Sequence, residues 1–151
     1  MDRDVRCRPA NDADFARLYQ IHREAIGPWV EATWGTWDEA VQPAFFEAMI
    51  GRGLLQVVEV SGETSGLIEV DDRFDRIDIM NIEVIPAVQK RGIGTGLLRA
   101  ILERANGRTV HLQVLKVNPA RRLYERLGFK HVGETSTHFQ MAWADELRPG
   151  E

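Results

Sequence analysis

Apolar residues recur along the chain with two different periods, and the places where the period changes mark out its elements. Val5 to Arg8 reads as a short strand, after which Asn11 stands as an N-cap before Phe15, Leu18, Tyr19 and Ile21 at helical spacing. That helix is expected to end near Gly27-Pro28. Thr36 followed by Glu39 has the form of a capping box, opening a second helical stretch with Val41, Phe45, Phe46 and Met49 that runs toward Gly51. Pro43 inside it predicts a break or kink.

From Leu54 the alternation shortens to that of strands: LLQVVEV, GLIEV and RIDIMNIEVI, with a turn at Ser61-Gly62. The third of these changes parity. Its apolar residues fall at Ile77 and Ile79 and then at Ile82 and Val84, so either one extra residue forms a β-bulge around Met80-Asn81 or the strand is buried on both faces. Past Pro86 and QKRGIGTG, the residues Ile93, Leu97, Leu98, Ile101, Leu102 and Ala105 form a helical stripe closed by Asn106-Gly107. A strand follows at Thr109 to Leu115. Asn118-Pro119 opens a last helix that Gly128 closes, and Phe129 to Glu134 and Thr137 to Trp143 read as the final strands. The order of elements defines a mixed α/β sheet.

Composition narrows the class. With 151 residues, 44% of them hydrophobic, and no repeat or linker, a single domain over residues 1–151 is expected to build its own core without staples. The one cysteine, Cys7, cannot close an internal disulfide, and no Cys/His cluster has zinc spacing, so no metal is expected and a cytoplasmic setting fits best. A net charge of −4 argues against a sequence-independent grip on nucleic acid. Apolar runs are far shorter than a bilayer requires and the first ten residues have no signal core, so no membrane partner is expected.

The chemistry concentrates after the bulged strand. Gly92, Gly94 and Gly96 alternate between strand and helix, which is either a tight turn or a cradle of bare N–H groups for phosphate at the helix's positive end. Gln89, Lys90 and Arg91 before it and Thr95 within it weigh toward the cradle. The dinucleotide fingerprint fails because position 97 is Leu97, and the P-loop fails because no Gly-Lys pair is followed by Ser or Thr.

The segment IEVIPAVQKRGIGTGLL, followed by NPARRLYERLGF, resembles the GNAT superfamily of acyl-CoA-dependent N-acyltransferases. Its first motif, Q/R-x-x-G-x-G/A after a splayed strand, is matched by Gln89, Gly92 and Gly94. Its second, an Asn, a tyrosine-bearing helix and Gly-Phe, is matched by Asn118, Tyr124, Gly128 and Phe129. The two motifs span roughly Ile77 to Phe129, and element order extends the likeness along the chain. The resemblance implies a GNAT-like α/β fold: a mixed, largely antiparallel central sheet with a splayed central strand and about four helices. It implies transfer of an acetyl group from acetyl-CoA to a primary amine of a small molecule or peptide by direct attack, in a monomer or homodimer. A CoA-binding sensor without turnover is the alternative.

On the same resemblance, the coenzyme A pyrophosphate lies on N–H groups from Arg91 through Gly92, Ile93, Gly94 and Thr95 to Gly96, near Lys90. Gln89 and Asn118 flank it, and Arg121, on a helix that starts near the cofactor, either helps a CoA phosphate or faces solvent. Backbone groups of Ile82 to Val84 pair with the pantetheine arm, and the Val84 N–H faces the developing oxyanion. Tyr124, turned inward with Ala120, Leu123 and Leu127, hydrogen-bonds the leaving thiolate. Glu83 is either the base for the amine or an outward strand carboxylate. In some amine acylators a glutamate stands five residues before the motif asparagine, but here that position is Gln113, which cannot accept the proton. His111 and His138 are further base candidates. Trp29, Glu31, Trp34 and Trp37 either border the acceptor or cover the sheet as a lid.

Overall fold

The computed structural model describes residues 4–145. Its elements are β1 (Val5–Pro9), α1 (Phe15–Trp34), α2 (Gln42–Gly51), β2 (Leu55–Val60), β3 (Glu63–Asp72), β4 (Arg76–Val84), α3 (Ile93–Glu103), β5 (Thr109–Leu115), α4 (Ala120–Arg126), β6 (Lys130–Glu134) and β7 (His138–Trp143). Short 3-10 turns at Asp12–Asp14 and Pro86–Arg91 lead into α1 and α3. The strands make one sheet in the order β1-β2-β3-β4-β5-β7-β6, antiparallel throughout except between β4 and β5.

Helices cover both faces. On one, the α3 stripe of Ile93, Leu97, Leu98 and Ile101 packs with Ile77, Ile79, Val110, Leu112 and Val114 of the central strands. Burying such a side chain contributes roughly 1.5–3 kcal/mol, so four of them hold α3 and its N-terminus firmly on the sheet. On the other face, Leu18 and Ile21 of α1 and Phe46 and Met49 of α2 pack with Leu55, Val57 and Leu67.

Two helix boundaries differ from those the sequence predicts. α1 does not stop at Gly27-Pro28 but carries Pro28 inside it and ends at Gly35, whose φ of 92° is open to glycine at no steric cost. The proline loses one backbone bond, which is offset because the extra turns bury Val30 against Trp37 and Leu115. Thr36 and Glu39 form no capping box. α2 begins at Gln42, and Pro43 lies in its first turn, where a missing N–H costs nothing and no kink results. Glu39 is instead engaged by the Tyr19 hydroxyl at 2.9 Å and by Arg23.

The parity change in β4 is a bulge. Glu69 pairs with Asn81 and Val70 with Ile79, leaving Met80 as the extra residue. Ile77, Ile79, Ile82 and Val84 therefore all face the α3 side, while Glu83 turns toward α1. The bulge is pinned by Glu69, fully buried, whose carboxylate accepts from Arg52 at 2.8 and 2.9 Å and from the Asn81 side chain at 2.7 Å. Beyond it β4 leaves β5: their ladder runs only from Arg76–Thr109 to Ile79–Leu112, although β5 stays paired with β7 as far as Leu115–His138. A wedge opens between the two central strands.

Opposite the wedge, β4 is held against β3 at Gly66, where a Cβ would lie 2.4 Å from the Glu83 carbonyl oxygen and 3.3 Å from the Val84 Cα. Both are backbone atoms and cannot swing aside. Gly66→Ala is expected to cost about 1–3 kcal/mol and to lower the urea midpoint, with activity falling further than stability because the strand displaced is the one carrying Glu83.

Candidate active site

The wedge opens into a cavity of about 930 Å³ that runs through the sheet from one face to the other. From the α3 side it is walled by Gly94, Leu98, Asn118, Leu123 and Tyr124, and from the α1 side by His22, Glu24, Trp29 and Trp34. The strand walls are Met80 to Val84 on β4 and Leu112 to Leu115 on β5. With no ladder from β5, backbone N–H and C=O groups on that edge of β4 are available to an extended amide-bearing ligand, much as an added strand would use them.

At the α3 end, Gly92 has a φ of 75° and sits as the N-cap of α3. The first-turn amides that follow, those of Ile93, Gly94 and Thr95, have no intrahelical acceptor by helix geometry, an arrangement suited to an anion. Gly96 does not join them. Its N–H donates to the Gly92 carbonyl at 3.0 Å, the first bond of the helix ladder, which corrects the expectation that the cradle extends that far. The side chain of Ile93 is fully buried in the core, so this residue offers its backbone alone. Gln89 is used structurally, donating from its side chain to the Val84 carbonyl at 2.8 Å and tying the loop to the end of β4. Lys90 lines the cavity, while Arg91, Thr95 and Arg121 lie outside its wall. Arg121 is paired with Glu125 at 3.5 Å and rests over the Phe139 ring. Asn118 accepts from the Ala120 N–H at 2.9 Å through its side chain and donates from its backbone to the Leu115 carbonyl at 2.9 Å, tying the start of α4 to the end of β5.

Tyr124 is buried, with its ring edge-on to Phe129 at 5.9 Å. Burial first, and then the nearby Glu83 carboxylate, pushes its phenol up to about 12. Such a phenol is fully protonated at neutral pH and donates a hydrogen bond. Complete proton transfer to a thiolate of ordinary pKa about 8.5 would be uphill by roughly 5 kcal/mol, so such a phenol can stabilise an adjacent thiolate by a hydrogen bond more readily than protonate it outright.

Glu83 turns out to be a buried carboxylate and not an outward one. One oxygen, Oε1, lies 2.6 Å from His22 Nδ1; the other, Oε2, is buried and has no hydrogen-bond partner among the described residues. An orphaned carboxylate oxygen in a buried setting costs desolvation free energy, and such atoms are found where the group has chemistry to perform. His22 is the residue sequence reasoning misses. Its signal is its position four after Leu18 on the buried face of α1, where a histidine needs a partner.

The other predicted residues divide. Trp29, Trp34 and His138 line the α1 end of the cavity, with Trp34 and His138 rings 6.3 Å apart. Gln113 lines it too. Trp37 is not at this wall but buried behind it, donating to the Tyr19 hydroxyl at 3.3 Å and packing on His22. Glu31 is exposed outside the cavity, so neither of these two lines its wall. His111 stands against Thr109 on β5, 3.0 Å from its hydroxyl and away from the cavity.

A mixed sheet split between two central strands, with a glycine turn at one end of the split and a buried tyrosine beside it, defines an acyl-CoA-binding transferase fold. The acetyltransferase (GNAT) domain family matches residues 20–143, and the chain belongs to that family. The N-alpha-acetyltransferase RimI of Mycobacterium tuberculosis is 41% identical over 69 residues, 45% of this chain and 44% of that protein. The ribosomal protein bS18-alanine N-acetyltransferase of Haemophilus influenzae is 29% identical over 123 residues, covering 79% of this chain and 77% of that one. Among solved structures, the PaiA N-acetyltransferase of Thermoplasma acidophilum in complex with coenzyme A superposes with a TM-score of 0.73 at 18% identity, over 95% of this chain and 99% of that one. The protein is an acetyl-CoA-dependent N-acetyltransferase of mixed α/β fold. No helix among the described residues is long and apolar enough to cross a membrane.

Proposed function

We propose that the wedge receives its two substrates from opposite faces of the sheet, the thioester from the α3 side and the amine from the α1 side. The observation that carries this is the cavity itself, which joins Tyr124 on one face to Glu83 on the other through the split between β4 and β5. The residues fit coenzyme A: the amides of Ile93 to Thr95 and the Lys90 ammonium suit the pyrophosphate, and the unladdered edge of β4 suits the amides of the pantetheine arm. Bound there, acetyl-CoA supplies the activated acyl carbon. The backbone around Val84 faces its carbonyl, the Tyr124 hydroxyl donates to its sulfur, and Glu83 Oε2 accepts the proton that the attacking ammonium group gives up. With Gln113 where some relatives of this fold carry a glutamate, the carboxylates on the cavity wall are Glu24, which is exposed, and Glu83, which is buried on the split strand itself and is the better placed of the two.

The acceptor is inferred to be an α-amine, as at the N-terminus of a peptide or in a small amino compound. At pH 7.5 an amine of pKa about 7.7–8.0 has roughly 200 times the free-base fraction of a lysine near 10.4, and one buried carboxylate is a modest base. The alanine acceptor named for the Haemophilus relative agrees in class. Trp29 and Trp34 at the cavity mouth offer aromatic faces to the incoming cation. The test is a thiol-release assay over short peptides with free or blocked N-termini, lysine side chains and polyamines. Peptide N-termini are expected to react with kcat/KM at least tenfold above blocked peptides bearing lysine. Preference for lysine or a polyamine would overturn the acceptor assignment, and absence of turnover with every amine would favour a CoA-binding sensor.

A further inference from the structure

We infer that His22 is a positioning residue for the reaction: its Nδ1–H holds Oε1 of Glu83 so that Oε2 alone is presented to the amine. The inference rests on the assignment of Glu83 as base. A carboxylate that serves as the base can only accept, so in this role the 2.6 Å contact makes Nδ1 of the ring the donor. The imidazole cannot turn away to release it. Its ring lies between Trp37, centroids 5.6 Å apart and edge-on, and Phe46 at 5.7 Å, and it is buried. Trp37 is itself held by the Tyr19 hydroxyl, and Tyr19 by Glu39, so a chain of contacts from the α1–α2 connection fixes the histidine. Without a donor on Oε1 the two oxygens would be equivalent, and the buried carboxylate could rotate its lone pairs away from the acceptor.

When the amine's N–H bond breaks, its electron pair stays on nitrogen for attack and the proton forms an O–H bond with Oε2. The Nδ1–H bond of His22 remains intact throughout. His22 therefore orients the base without exchanging a proton with the substrate.

The experiment compares His22→Asn, whose amide nitrogen falls near the place of Nδ1, with His22→Gln, whose amide falls near Nε2. Both are polar, glutamine close to histidine in volume and asparagine one methylene smaller, and folding is checked by thermal melting and by calorimetric binding of coenzyme A. With a peptide acceptor, H22N is expected to keep kcat within about threefold, while H22Q loses about 10–100-fold in kcat, with KM for acetyl-CoA unchanged in both. Adding H22Q to Glu83→Gln is expected to lower kcat no more than about threefold below E83Q alone, since the histidine acts only through that carboxylate. Equal rates for H22N and H22Q, or a full further loss in the double variant, overturn the inference while leaving Glu83 as base. Wild-type activity in E83Q overturns the base assignment itself.

Discussion

Glu83→Gln is expected to lower kcat by about 10²–10³-fold while leaving coenzyme A binding within twofold, measured by thiol release and by calorimetry. The amide fills the same volume, keeps an oxygen for the His22 Nδ1–H, and removes the lone pairs that would take the amine's proton. Stability is not expected to fall with activity. Oε2 is a buried atom without a hydrogen-bond partner among the described residues, and a carboxylate serving as base is replaced by a neutral amide, which relieves desolvation. A variant that melts at the same temperature or higher and yet turns over a hundredfold more slowly would show that the site trades stability for chemistry. Equal activity would remove Glu83 from the mechanism.

Tyr124→Phe is expected to reduce kcat by about 10²-fold, again with coenzyme A bound normally, because the ring's packing on Phe129 survives and only the donor to sulfur is lost. Its pH behaviour is a second readout. The folded-state phenol titrates near 12, above an ordinary tyrosine near 10, so its contribution to stability is complete below about pH 10 and is lost as pH rises from there toward 12. The full loss is about 3 kcal/mol for two pH units. Wild type should therefore lose stability over that range in urea titrations by more than Y124F does. In kcat/KM profiles, no alkaline limb from this phenol is expected up to pH 10. A limb near pH 8 that disappears in Y124F would contradict the raised pKa.

Much of the site is legible in the chain because it rests on local rules. The parity slip between Ile79 and Ile82 requires an extra residue wherever both flanking pairs must face one core, and Met80 supplies it. Alternating glycines before an apolar helical stripe place bare amides at a helix start, and the spacing of Ala120, Leu123, Tyr124 and Leu127 turns the phenol inward. The helix boundaries were less legible. A capping-box pattern at Thr36 and a proline at position 28 are signals of a fraction of a helix turn, and burial of Val30 with Trp37 and Leu115 outweighs them.

What the sequence by itself determined is therefore the family, the order of strands and helices, and the bulge, glycine turn and inward tyrosine that stand around the wedge, since each follows from periodicity and from motifs a few residues long. Only the tertiary structure decided that Glu83 is buried, that His22, 61 positions away, holds one of its oxygens, and that Trp37 serves as a wall behind the site and not as a rim. Such pairings depend on which face of α1 meets which edge of β4. Long-range contacts of this kind are fixed by the packing of whole elements around a shared core, a free energy spread over many residues, and no short window of the chain records it.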